Sequence, residues 1–304
     1  MKRNAEIWLV IAMIIWGGSW TSGKLIANAV DPQVTLFWRF LLSGLFLIPV
    51  ILIIREKTIF SYALLFWGLL AGVVSAIYTS VFFIALKTGM AGAGGVLVTT
   101  LNPLFTFLIS FLGVFAEASY KGKAHDAPVH PKEAIRGKDF WGLILGVSAG
   151  MILLEVWTLG GDQILLSGNL LFLACAVIYA FITLITGRAA RFTGMITFSC
   201  LVNLFGAMIA FAISPTLILD VALPKDSGYW FNMFYLSIIS NSLATTIYFS
   251  AIKKIGSARA SAYIFIVPGS ALLIAAAWLK EPVKISTLVG GSLAVVAVLL
   301  LRRK

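Results

Sequence analysis

The stretch VFFIALKTGMAGAGGVLVTTLNPLFTFLISFLGVFAE, residues 81–117, has a counterpart in the same chain, IYFSAIKKIGSARASAYIFIVPGSALLIAAAWLKE at 247–281. Each reads as an apolar helix ending in an alanine and a lysine, a turn of small residues, a second apolar helix holding one proline, and a glutamate. The next helices correspond as well, WGLILGVSAGMILL at 141–154 against TLVGGSLAVVAVLL at 287–300. Outward from this register, apolar runs are expected to span near 6–27, 33–54, 63–86, 91–115, 138–157, 166–188, 195–214, 229–252, 258–280 and 285–302. Spans one to five match six to ten. Because five is odd, the second copy enters from the opposite side. This is an inverted-topology repeat, in which alternating access arises when equivalent halves exchange conformations around a central site. The chain therefore divides at 1–157 and 158–304, the first part carrying a long polar loop at 118–139.

Composition sets the environment. A chain of 304 residues that is 60% hydrophobic and 12% charged has more apolar surface than one soluble core hides. Runs of roughly 20 apolar residues suit helices crossing a bilayer, whereas barrel strands are shorter and alternate. The expected fold class is an all-α membrane protein. The MKR start before an apolar run has the look of a secretory signal, but the run continues through WGGSWTSGKLIA, 16–27, without an A-x-A-like site and is read as the first span. With a cytoplasmic N-terminus, about 17 of the 23 Lys and Arg fall in inside segments, so both termini are expected in the cytoplasm. The net charge of +11 then follows from topology and anionic lipid, and nucleic acid is not an expected partner. Cys175 and Cys200 lie within apolar runs and are read as small hydrophobes.

At these residues a family resemblance enters. WGGSW at 16–20, FWRFLLSG at 37–44, the Pro-to-Glu fourth and ninth helices and the five-plus-five repeat resemble the drug/metabolite transporter superfamily, EamA type, which includes bacterial metabolite exporters. The resemblance implies a permease whose fourth and ninth helices border the translocation path. Two features depart from it: the 118–139 insertion, and ITFSCLVN at 196–203, which offers no counterpart to Arg39.

Transport needs polar groups facing a wet cavity near the bilayer midplane. Ser75 and Thr79 in the third span match Asn241 and Thr245 in the eighth, each pair four residues apart and so on one helical face. Tyr78 and Tyr248 add aromatic hydroxyls. The alternative is that these groups hydrogen-bond between helices or back to their own backbone. Trp16 and Trp20, a turn apart around Ser19, and Tyr179 and Thr183 in the sixth span form a candidate aromatic wall, or else pack the bundle. Arg39 is expensive within a span unless paired or wetted, and attraction of a carboxylate is its candidate role. Pro103 and Pro268 are expected to kink their helices and free carbonyls, with Asn102 binding that backbone or a substrate. Glu117 and Glu281 are read as interfacial anchors or ion-pair partners, and Lys24 as snorkelling or gating.

Other signals are read as structural. Gly142, Gly146 and Gly150 form a close-packing stripe assigned to contacts within the chain. TGMAGAGG at 88–95 lacks the phosphate-loop pattern, and His125 and His130 sit in the polar loop. No Walker motif is present and no Asp or Glu falls near the centre of a span. Catalytic residues, metal and cofactor are therefore not expected, nor is an enzyme. The expectation is a secondary transporter of the bacterial inner membrane that exports an amino acid or related amphipathic metabolite by alternating access. Its partners would be a small-molecule substrate and the bilayer, with the monomer sufficient even if a homodimer forms. An uptake permease and a non-transporting receptor or scaffold stay open beside it.

Overall fold

The computed structural model describes residues 2–56, 61–111, 137–153, 155, 168–190, 193–255, 260 and 263–301. Among these, the secondary structure is helical. The first half supplies α1 (Lys2–Ile26), α2 (Pro32–Ile54), α3 (Tyr62–Thr88), α4 (Ala91–Phe111) and α5 (Gly137–Leu153). The second supplies α6 (Gly168–Ala189), α7 (Met195–Ile213), a short α8 (Pro215–Asp220), α9 (Ser227–Phe234), a π-helical segment (Tyr235–Ala244), α10 (Thr245–Ile255), α11 (Ile266–Leu279) and α12 (Ile285–Leu301). Glu117, His125, His130 and most of the 118–139 loop lie outside the described residues.

Local chemistry sets the helix ends. Asp31 accepts the Gln33 N–H at 2.8 Å with Pro32 opening α2, where its missing N–H costs nothing. Ser61 accepts the Leu64 N–H at 3.2 Å to start α3, and Asp226 accepts the Tyr229 N–H at 2.9 Å to start α9. Arg55 closes α2 in the left-handed region, φ 53°, its N–H bonding the Ile51 carbonyl. The two prolines sit differently. Pro103 lies inside α4, whereas Pro268 is in the first turn of α11, just after a single 3₁₀ turn (Tyr263–Phe265), where its lack of an N–H leaves no intrahelical bond unmade.

Five of these helices, those over Glu6–Ile26, Pro32–Ile54, Tyr62–Thr88, Gly168–Ala189 and Met195–Ile213, are long and apolar enough to cross a membrane. Their outward faces are apolar too. Ile53 is 80% exposed, Leu273 72% and Phe231 70%, while Phe83, Phe172 and Phe198 are fully buried. Large side chains outside as well as inside suit a hydrocarbon surround. The most extensive packing joins α5 to α12, α2 to α7, α3 to α6, and α1 to α11. Small residues permit it: a Cβ on Gly146 would overlap Leu104 of α4, one on Gly290 would overlap Leu153 of α5, and one on Gly17 would overlap Ser270 of α11. The glycine at 146 thus packs within the chain.

Candidate functional site

One cavity lies at the middle of the bundle, with about 880 Å³ of space free of protein atoms, part of it open to solvent. Its walls come from both halves: α1 to α4 of the first, and α6, α7, the π segment, α10 and α11 of the second, together with Ile264 of the 3₁₀ turn.

Trp16 and Trp20 reach it from α1. Trp16 meets Tyr179 of α6 edge-on, centroids 5.9 Å apart at 85°, and Tyr179 meets Tyr78 of α3 at 5.2 Å. Trp20 packs on Phe82 and Phe172, so it is both wall and core. These rings meet edge to face, the arrangement aromatic pairs prefer, and make an apolar wall.

Ser75 and Thr79 face the same space, as the four-residue spacing predicts, and their hydroxyls have no hydrogen-bond partner among the described residues. Asn241 and Thr245 also line the cavity but are engaged. Asn241 Nδ2 donates to Ser43 Oγ at 3.0 Å and to Asn203 Oδ1, and Thr245 Oγ1 donates to the Ser240 carbonyl at 3.2 Å. The cause is the π segment, whose wider turn pairs each N–H with a carbonyl five residues back and leaves others for side chains. Ser237 shows this directly: its carbonyl accepts from Ser43 Oγ at 2.7 Å and Ser242 Oγ at 2.9 Å.

Arg39 is buried, 8% exposed, and among the described residues is the only ionised side chain on the wall. Its Cζ lies 5.9 Å from the ring centroids of both Phe82 and Phe83. Asn102 is 1% exposed, its Nδ2 reaching the Ala176 carbonyl at 3.5 Å and its Oδ1 lacking a partner. Thr183 and Tyr248 are not wall residues. Thr183 donates back to the Tyr179 carbonyl at 3.0 Å, and Tyr248 is fully buried behind Trp16, centroids 5.0 Å apart.

Sequence reasoning missed Asn203, a wall residue whose Nδ2 donates to the Ser199 carbonyl at 2.7 Å. Its signal is in the sequence: an amide in the middle of the apolar run ITFSCLVNLFGAMIAF, 196–211, is as costly in hydrocarbon as the hydroxyls of Ser75 and Thr79. It also missed the carboxylates at helix N-termini. The N–H groups of Ala91 and Gly92 each donate at 2.8 Å to Glu281, which therefore caps α4 instead of serving only as an anchor. Glu56 likewise accepts from the Ile196 and Thr197 N–H groups at 3.2 and 2.7 Å. Lys24 donates to the Leu86 and Gly89 carbonyls at 2.6 and 2.9 Å, tying α1 to the end of α3.

The chain is similar to known proteins. The model of the EamA-like transporter family matches residues 3–117 and 166–303. An uncharacterized transporter, YetK, of Bacillus subtilis (strain 168) is 22% identical over 302 residues, covering 95% of this chain and 84% of its own length. An uncharacterized transporter of Clostridium kluyveri is 23% identical over 301 residues, covering 95% and 89%. One solved crystal structure superposes with a TM-score of 0.69 over 98% of this chain and 97% of its own, at 19% identity, which shows a common fold. With its apolar helices and the family match over most of its length, the chain belongs to the EamA-like transporter family, within the drug/metabolite transporter superfamily, as a multi-pass membrane transporter.

Proposed function

We propose that the chain is a secondary transporter of the bacterial inner membrane, with ten spans in two inverted five-helix repeats and both termini cytoplasmic. It exports a small amphipathic metabolite, an amino acid or a related compound, by alternating access at the central cavity, without enzymatic chemistry. The observation that carries this reading is the cavity itself: one space, enclosed by elements of both halves, with an aromatic wall and a few convergent polar groups. The packing supports the inverted repeat. If the spans correspond as the sequence registers them, α2 against α7, α4 against α11 and α5 against α12 each pair a helix with its own counterpart, as a two-fold axis requires. The pairs α1 with α11 and α6 with α4 are then also equivalent contacts. Basic residues concentrated on one side support the cytoplasmic termini.

The test is flux into proteoliposomes loaded with amino acids and related metabolites, comparing wild type with Thr79→Val/Thr245→Val protein shown to be folded and inserted. Saturable wild-type flux that the double variant loses supports a carrier with its site between α3 and the π segment. Absence of flux for every metabolite at every imposed ion gradient overturns the reading in favour of a receptor or scaffold.

A further inference from the structure

Arg39 poses a charge problem that the rest of the cavity wall does not solve. Its Nε and Nη1 are buried without a hydrogen-bond partner, and among the described residues no carboxylate pairs with it. The rings of Phe82 and Phe83 attract a cation weakly but give its N–H groups no acceptor. A guanidinium away from bulk water is costly until an anion and hydrogen bonds compensate it. Asn102 adds the complementary vacancy, an acceptor Oδ1 on the same wall with no donor.

Resting on the transporter reading of this cavity and narrowing its cargo among amino acids and related compounds, we propose that the preferred cargo is an organic monoanion with a flat apolar body and a neutral hydrogen-bond donor beside the carboxylate, as in an aryl α-hydroxy acid, bound more tightly than the corresponding free amino acid. The carboxylate accepts from the free guanidinium N–H groups of Arg39, a charge-assisted pairing with good directional fit. The neutral donor satisfies Asn102 Oδ1, and the apolar body lies against Trp16 and Tyr179. A bound monoanion makes the cavity neutral. A zwitterion neutralises Arg39 but brings an ammonium group to a wall whose acceptors are all uncharged, so that group leaves water without a counter-ion. An amine without a carboxylate meets the field of Arg39 directly and is repelled.

The experiment titrates purified full-length protein with four probes that share one ring, namely phenyllactate, phenylpropionate, phenylalanine and phenethylamine, following tryptophan fluorescence because Trp16 and Trp20 line the cavity. Phenyllactate is expected to bind tightest. Phenylpropionate, which lacks the donor, is expected to bind about fivefold more weakly, and phenylalanine about tenfold or more. Phenethylamine is expected not to saturate. Arg39→Gln is expected to weaken phenyllactate about a hundredfold. The probe series on wild-type protein stands alone if that variant fails to fold. Phenylalanine binding as tightly as phenyllactate, saturable phenethylamine binding, or no binding by any probe overturns the proposal. Proteoliposomes separate it from the transporter reading. Phenyllactate binding without flux upholds the ligand class and sinks transport, whereas saturable phenylalanine flux that excess phenyllactate does not inhibit upholds transport and sinks the ligand class.

Discussion

Two faces of the cavity carry matched polar pairs, and the protein uses them differently. On α3, a regular helix, Ser75 and Thr79 present hydroxyls with no partner among the described residues. On the π segment and the start of α10, Asn241 and Thr245 are bound into the bundle through Ser43, Asn203 and Ser240. The two faces thus differ in their partners: the α3 hydroxyls face the cavity, and the π-segment face is tied to α2 and α7 through Ser43 and Asn203. Polar groups within a membrane cost free energy, and the two faces offset it by different means, one through protein partners and one through whatever fills the cavity.

The comparison breaks first at Asn241. Replacing it with leucine removes the donor to Ser43 and Asn203 and strands the buried Asn203 Oδ1, at an expected cost of about 2–3 kcal/mol. Thermal unfolding in detergent should shift down by several degrees, and an unchanged midpoint would show that the network is incidental. Ser43→Ala comes next. It loses a hydroxyl whose one proton is shared between the Arg39 and Ser237 carbonyls, both at 2.7 Å, and which accepts from Asn241, for about 1–2 kcal/mol on the same measurement.

Thr79→Val sharpens the contrast from the other side. Having no hydrogen-bond partner to lose among the described residues, it should leave the unfolding midpoint nearly unchanged while lowering cargo affinity in flux assays by about fivefold, the worth of one neutral hydrogen bond. A large loss of stability there would make the two faces alike.

The smallest effect belongs to a control site outside both faces. Glu155, just past the end of α5, accepts from Lys284 Nζ at 2.7 Å. The Lys284 ammonium and then the Ser286 hydroxyl hold its carboxyl below the usual carboxylate range. A lowered folded pKa means that the stabilisation is fully present above the ordinary carboxylate value and is lost as pH falls through the lowered one. Because the pair is partly exposed, Glu155→Gln should cost no more than about 0.5 kcal/mol at neutral pH and nothing in acid. An equal cost at both pH values would assign the effect to packing instead of charge.

Much of this was legible in the sequence because apolar run length and breaker residues are local signals. The span expected at 33–54 is the helix Pro32–Ile54, and that expected at 195–214 is Met195–Ile213. The four-residue spacing of Ser75 and Thr79 likewise placed both on the cavity wall. The π segment was not legible. YLSIISNSLA has the composition of an ordinary polar-flecked span, and the five-residue pairing goes with contacts to Ser43 and Asn203 across the bundle, which no local pattern announces. The Glu281 cap was hidden for a similar reason, since its partners, Ala91 and Gly92, lie far away in sequence and nothing local announces them. The spacing of Thr183 from Tyr179 fits a shared face, and does not reveal that its hydroxyl donates to the Tyr179 carbonyl one turn back.

The most direct test of alternating access at this cavity is the reach of a membrane-impermeant maleimide to Thr79→Cys, with Cys175 and Cys200 replaced by alanine, in vesicles of each orientation. Modification from both faces of the membrane is the predicted result. Modification from one face alone, or from neither, would contradict a site that opens in turn to either side.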